Sequence, residues 1–167
     1  IEALEKIGKP DVLVGQFEIP MNVNEQVFSY AYKNGVETVL NPAPANKPSD
    51  ILLQNTSWFI PNEIEFEEIY GDIFNENNLL LFAKNVDTNV VVTLGEKGCA
   101  YIENNSVKII KADSVKAIDT TGAGDAFVGA FSFALASKLD IEECLKLALK
   151  KATDSVTKKG TQSSYKN

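Results

Sequence analysis

Apolar residues recur along this chain in two alternating rhythms. Short β-branched runs are separated by longer stretches in which apolar side chains return every three or four positions, the spacings of strands and of one helix face. Residues 11–15 (DVLVG) predict a strand. Residues 22–34, with Val23, Val27, Tyr30 and Ala31 at helical spacing and Asn34-Gly35 as a stop signal, predict a helix. A second strand is expected over 36–40, closed by Asn41-Pro42-Ala43-Pro44, because two prolines allow neither continued pairing nor a helix. A third strand, 57–60, leads into Pro61 and a helix to about Tyr70, with Glu63 and Glu65 in the first turn where the helix dipole favours acids. The nearly continuous apolar run 89–94 predicts a central strand covered on both faces. Shorter strands are expected near 100–103, 107–110 and 115–118.

Two further helices are expected, one from Ala123 to about Ser137 and one from Ile141 to about Thr157. The first carries small and aromatic residues on most faces, which predicts deep burial. The asparagine-rich patch 75–78 predicts a solvated loop. Strands alternating with helices at this spacing imply right-handed β-α-β units, a largely parallel sheet and an α/β fold over residues 1–167, with one domain as the expectation. No internal repeat is evident.

Composition narrows the chemistry. With 44% hydrophobic residues among 167, the chain can bury a sizeable core. A formal net charge of -7 argues against a surface built to neutralise nucleic-acid phosphates or anionic lipid, while leaving room for a local anion pocket. No apolar run reaches the roughly eighteen residues of a membrane span, so neither nucleic acid nor membrane is expected as a partner. The absence of histidine removes imidazole bases, His-based triads and histidine metal sites, and leaves carboxylates, hydroxyls, lysines and backbone amides. Cys99 and Cys144 form no C-x-x-C pair, which fits buried free thiols and a reducing, cytoplasmic compartment. The opening Ile1-Glu2-Ala3-Leu4 has the character of mid-helix sequence and is not expected to be a natural N-terminus.

Three loops carry candidate chemistry. The first is Asp119-Thr120-Thr121-Gly122-Ala123-Gly124-Asp125, between an expected strand and a helix. Its glycines let successive N–H groups turn toward one point, and the helix N-terminus adds positive potential, so the loop suits an anion. Asp125 beside such a site could accept a proton from a hydroxyl that attacks a phosphoryl group. A tight turn with Asp125 in a favoured first-turn position is the alternative. The dinucleotide fingerprint G-x-G-x-x-G fails at Phe127, and the P-loop pattern fails at Ala130 after Gly129. The second loop, Thr93-Leu94-Gly95-Glu96-Lys97-Gly98, ends the central strand where ligands of open parallel sheets bind, and is otherwise a hairpin turn. The third, Pro61-Asn62-Glu63-Ile64-Glu65, offers carboxylates that could hold magnesium through water, or merely acids at a helix start.

Together with Asn41-Pro42-Ala43-Pro44-Ala45 and Lys159-Gly160-Thr161-Gln162, these runs occur in an order and spacing that resembles the ribokinase-like carbohydrate kinase family, over essentially the whole chain. The last two motifs resemble its ribokinase branch more than the adenosine kinase or fructokinase branches. The resemblance implies a ribokinase-like three-layer sandwich and ATP-dependent phosphorylation of a primary hydroxyl on ribose or a related furanose. A nucleoside or fructose kinase, or a non-catalytic nucleotide-binding piece, is the alternative. It implies Asp125 as catalytic base, and Gly122, Ala123 and Gly124 as the hole for the transferring phosphoryl group. Asn62 and Glu65 would lie near the phosphates and hydrated magnesium, Thr93, Gly95 and Gly98 at the nucleotide, and Glu18 at the sugar. A potassium site would draw on Asp119, Thr121, Ser155, Lys158, Gly160 and Ser164, mostly through carbonyls.

Two departures from the family stand out. Leu149-Lys150-Lys151 replaces the small or amide-bearing run that meets adenine, and the family is nearly twice as long. Its N-terminal part, with the sugar-gripping aspartate and Gly-Gly segment and the β-strand lid, falls outside residues 1–167. The expectation is therefore that this stretch alone binds ATP weakly without phosphorylating sugar. A homodimer is left open for the full-length protein.

Overall fold

Most β-branched runs become strands and amphipathic stretches become helices in a computed structural model that describes residues 1–161 and 163–165, apart from the side chains of Ala3 and Ile7. In chain order the elements are α1 (Glu2–Ile7), β1 (Val12–Gly15), α2 (Met21–Lys33), β2 (Glu37–Leu40), α3 (Asp50–Gln54), β3 (Trp58–Phe59) and α4 (Glu63–Tyr70). Then follow α5 (Glu76–Val86), β4 (Asn89–Thr93), a 3-10 turn (Gly95–Lys97), β5 (Cys99–Glu103), β6 (Ser106–Ile110), α6 (Ala123–Ala136) and α7 (Ile141–Val156). Six strands pair in the order β1-β2-β3-β4-β5-β6, and β1 to β4 run parallel, as the alternation of elements requires.

The chain divides into two units, Ile1–Val92 with Tyr101–Lys108 and Thr93–Ala100 with Ile109–Asn167. In the first unit, Gly15 stands opposite Leu40, and Leu40 opposite Phe59, so β1, β2 and β3 end together at one sheet edge. Val39, Leu40, Phe59, Val90, Val91 and Val92 are buried, which matches a sheet covered on both faces. Beneath it Phe66 packs edge-on against Phe82 and Phe74, at ring-centroid distances of 5.4 and 5.7 Å, and joins α4 to α5. Gly15 must lack a side chain, because a Cβ there would run into the Phe28 ring and the Asn24 amide of α2.

In the second unit α6 and α7 pack along their length. Phe127, Phe131 and Ala134 of α6 and Cys144, Leu145, Ala148 and Leu149 of α7 are buried. Asp140 caps α7 reciprocally with Glu143: each side chain accepts from the other's backbone N–H.

The structure departs from the sequence expectations in four places. The patch 75–78 is no solvated loop: Asn75 caps α5 by accepting from Asn78 N–H at 2.8 Å, and Asn78 is itself buried. α3 was not anticipated either, and rests on a Ser49 cap that accepts from Leu52 N–H. Residues 115–118 form no strand; Val115 and Ile118 are exposed, and the segment is tied instead by Ile118 N–H to the Val156 carbonyl at 2.7 Å. The deep burial expected of α6 holds for one face only, since Asp125, Gly129 and Phe133 are exposed, Phe133 at 68%.

Candidate active site

The loop before α6 is built from residues distant in sequence. Asp119 Oδ1 accepts the Thr121 amide and Oδ2 accepts the Gly160 amide, both at 3.0 Å, so one carboxylate clamps this loop to the turn after α7. The Thr121 hydroxyl and amide, the Gly160 amide and nearby Lys159 hold the Asp119 carboxyl down at about 2. Gly122 follows in the left-handed region (φ 79°), where a side chain is disfavoured, and acts as N-cap without a capping side chain. Its carbonyl accepts two donors: the Ala126 amide at 2.9 Å, which starts the helix, and the Tyr165 hydroxyl at 2.7 Å. A Cβ at Gly122 would collide with that hydroxyl and with Thr161, whereas one at Gly124 would meet open space.

Asp125 is exposed in the first turn of α6, where the positive end of the helix dipole favours negative charge; the Ala123 N–H at that end donates to the Thr120 carbonyl at 3.2 Å. It borders a groove of about 700 Å³ with Ala126, Phe133, Lys151, Lys158 and Tyr165. The Tyr165 phenol is raised above its ordinary value by burial and by the negative charge of Asp125, so it stays a neutral donor. Leu149 is buried and only Lys151 of the departing run lines the groove, so this run offers no amide there.

The remaining residues expected in this unit lie as follows. Thr93 ends β4, and the 3-10 turn after it closes with Leu94 N–H donating to the Gly98 carbonyl at 2.8 Å. Gly98 is required by its own chain, since a Cβ would strike the Ile110 carbonyl and the Ala112 amide; at Gly95 a Cβ would meet nothing. Around the turn after α7, the buried Ser155 hydroxyl donates to the Ala152 carbonyl, Lys158 Nζ donates to the Ser164 carbonyl at 3.2 Å, and the Ser164 hydroxyl donates to the Thr161 carbonyl. Gln162 lies outside the described residues.

In the first unit, Asn62 and Glu65 form a reciprocal cap on α4. Asn62 Oδ1 accepts the Glu65 amide and Glu65 Oε2 accepts the Asn62 amide, each at 2.8 Å. Burial pushes the Glu65 carboxyl up, against the Asn62 amide bond that lowers it. Beside the strand ends, Gln16 Nε2 donates to Asn41 Oδ1 and Asn41 Nδ2 donates to the Ile60 carbonyl, both at 2.8 Å, crossing β1, β2 and β3. Asn24 Nδ2 holds the Gln16 carbonyl, and Phe17 N–H holds the Ala43 carbonyl. Glu18 stands exposed in the turn just beyond. The bridging role of Asn41 was not anticipated, although its place after a strand and before Pro42 is visible in sequence.

Metal sites built from acidic and thiol groups are not offered: among the described residues no three such side chains gather to hold an ion. Glu65 beside Asn62 offers a carboxylate of the kind hydrated magnesium takes, while both Asp119 oxygens accept backbone amides. The Cys99 thiol is pushed up to about 12 by burial, so it is no nucleophile at neutral pH. Among the described residues no helix is long and apolar enough to cross a membrane.

Residues 6–167 match the model of the pfkB family carbohydrate kinases. The chain is 41% identical over 165 residues to a ribokinase of Haemophilus influenzae, covering 95% of this chain and 54% of that one. It is 36% identical over 169 residues to a deoxyribokinase of Salmonella typhi, covering 98% and 55%. A structure of Arabidopsis thaliana ribokinase complexed with ribose and ATP superposes with a TM-score of 0.85 at 28% identity, over 92% of this chain and 52% of that one. The chain thus spans about half the length of the curated relatives it matches. A match over nearly all its residues, carried by sequence and fold alike, makes this chain a member of the pfkB family of carbohydrate kinases.

Proposed function

We propose that the full-length protein transfers the γ-phosphoryl group of ATP to a primary hydroxyl of ribose or a related furanose such as deoxyribose, and that residues 1–167 form its nucleotide-binding and catalytic part. The observation that carries this reading is the exposed Asp125 in the first turn of α6, behind a glycine N-cap and at the rim of an open groove. There Asp125 takes the proton of the acceptor hydroxyl, which sharpens the oxygen for attack on the phosphorus. The amides at Gly122, Ala123 and Gly124, at the positive end of α6, stabilise the charge that gathers on the transferring group. Because the loop is pre-clamped by Asp119, those donors need little rearrangement during the reaction.

The same reading gives Thr93, Gly95 and Gly98 a place at the nucleotide and Glu18 a place at the sugar. Asn62 and Glu65 would hold hydrated magnesium, which neutralises phosphate charge when bound. Asp119 with Thr121, Ser155, Lys158, Gly160 and Ser164 would hold potassium, which orders the loop. Two buried free thiols support a reducing cytoplasmic setting.

Sugar-dependent ADP release by the full-length protein tests the proposal, with ribose, 2-deoxyribose, fructose and a nucleoside as acceptors and potassium exchanged for a large inert cation. Turnover is expected with a pentose and is expected to rise in potassium. Turnover with a nucleoside alone would transfer the chemistry to another acceptor, and no ATP consumption with any acceptor would overturn it.

A further inference from the structure

We infer that Tyr165 is a positioning residue for phosphoryl transfer, its hydroxyl holding the Gly122 carbonyl and thereby aiming the first amides of α6. The inference rests on the kinase reading above for its effect on rate, and on geometry alone for its effect on the loop. Gly122 has no side chain with which to cap α6, and between Asp119 and Asp125 it alone has a left-handed backbone. The Asp119 clamp fixes Thr121 and Gly160, on the upstream side of that point. Tyr165 reaches across 43 residues to fix the downstream side. A peptide group is planar, so a carbonyl gripped by both the Ala126 amide and the Tyr165 hydroxyl fixes the direction of the Ala123 amide in the same plane, which donates to the Thr120 carbonyl at 3.2 Å.

The contact is close as well as directional. The Tyr165 hydroxyl and the Thr161 side chain occupy the space that a Cβ on Gly122 would need, so the glycine and the tyrosine fit as a pair. Tyr165 also lines the groove that Asp125 borders, which places its ring at the wall of the proposed site while its hydroxyl points at the loop. It is 44% exposed, so it contributes little core packing and its removal should leave the fold standing.

Tyr165→Phe in the full-length protein removes the hydroxyl and keeps the ring. The expected result is a fall in kcat of about three- to tenfold, the scale of one lost hydrogen bond expressed only in the transition state, with KM for sugar and ATP and the melting temperature unchanged. Amide hydrogen exchange should quicken at Ala123, Gly124 and Asp125 and remain as before in α7. Unchanged kcat in an active protein would overturn the positioning role while leaving the kinase reading intact. If the parent protein phosphorylates no sugar, the exchange measurement still decides: unaltered exchange at these amides would show that Tyr165 does not hold the loop.

Discussion

The polar residues at the sheet edge of the first unit and those before α6 in the second answer to different demands. Asn41 and Glu65 are buried, and their side chains are committed to backbone groups of neighbouring strands and to a helix cap. Asp125 is exposed on a helix whose start is held by other residues, Asp119 and Tyr165. A buried polar group must be satisfied or it costs stability, so the first region spends its polar atoms on the fold. The second region supports its loop through Asp119 and Tyr165 and keeps the Asp125 carboxylate exposed, as the proposed exchange of a proton with a substrate requires. Residues that both regions share in a family motif can therefore differ in what their loss does.

The sharpest break of this contrast comes from Asp125→Asn. Turnover of the full-length protein is expected to fall by about two to four powers of ten with ATP affinity and melting temperature retained, because an amide cannot accept the proton. A loss of stability of the same order as the loss of rate would erase the distinction between the regions. Steady-state kinetics beside thermal melts decides it.

Next in size is Glu65→Gln. Glutamine can keep the reciprocal cap with Asn62 and has no charged form for burial to penalise, so stability should hold or rise slightly at neutral pH. If the carboxylate also serves magnesium through water, magnesium dependence should weaken by about ten- to hundredfold. An unchanged magnesium requirement would leave Glu65 with the cap alone.

Asn41→Leu should act on stability instead. It deprives the Ile60 carbonyl and the Gln16 amide of their partner, at about 1–3 kcal/mol, read as a shift in denaturant midpoint. The smallest effect belongs to Asp119. Its carboxyl is depressed from 3.8 to about 2 in the folded protein, so the stability it adds is present above its ordinary value and is lost as pH falls through about 2. The stability difference between the parent and Asp119→Asn should accordingly be constant near neutrality and shrink in acid, and a difference that grows in acid would contradict the clamp.

Much of the fold was legible because periodicity is a local signal. The run 89–94 is nearly continuous in apolar residues and became a strand buried at Val90, Val91 and Val92, and Val27, Tyr30 and Ala31 repeat at helical spacing and became α2. α5 escaped because its start is rich in asparagine, a loop former by composition, while the burial of Leu79 and Phe82 that stabilises it comes from packing against α4 and the sheet. α3 is too short for its own propensity to declare it, and exists through a serine cap and the buried Leu52. Val115 and Ile118 misled in the opposite direction, because β-branched residues make a strand only where a partner strand is available.

By itself the sequence determined the alternation of most strands and the longer helices, the α/β class and the membership of a kinase family, since all three are written in residue types at fixed spacing. Only the tertiary structure decided that Gly98 is a glycine for the sake of Ile110, that Asn41 holds the Ile60 carbonyl, and that Tyr165 meets Gly122. The reason is physical. Each of these contacts depends on where the chain returns after a loop or a helix, and the free energy that brings it back is spread over the buried core and belongs to no single motif.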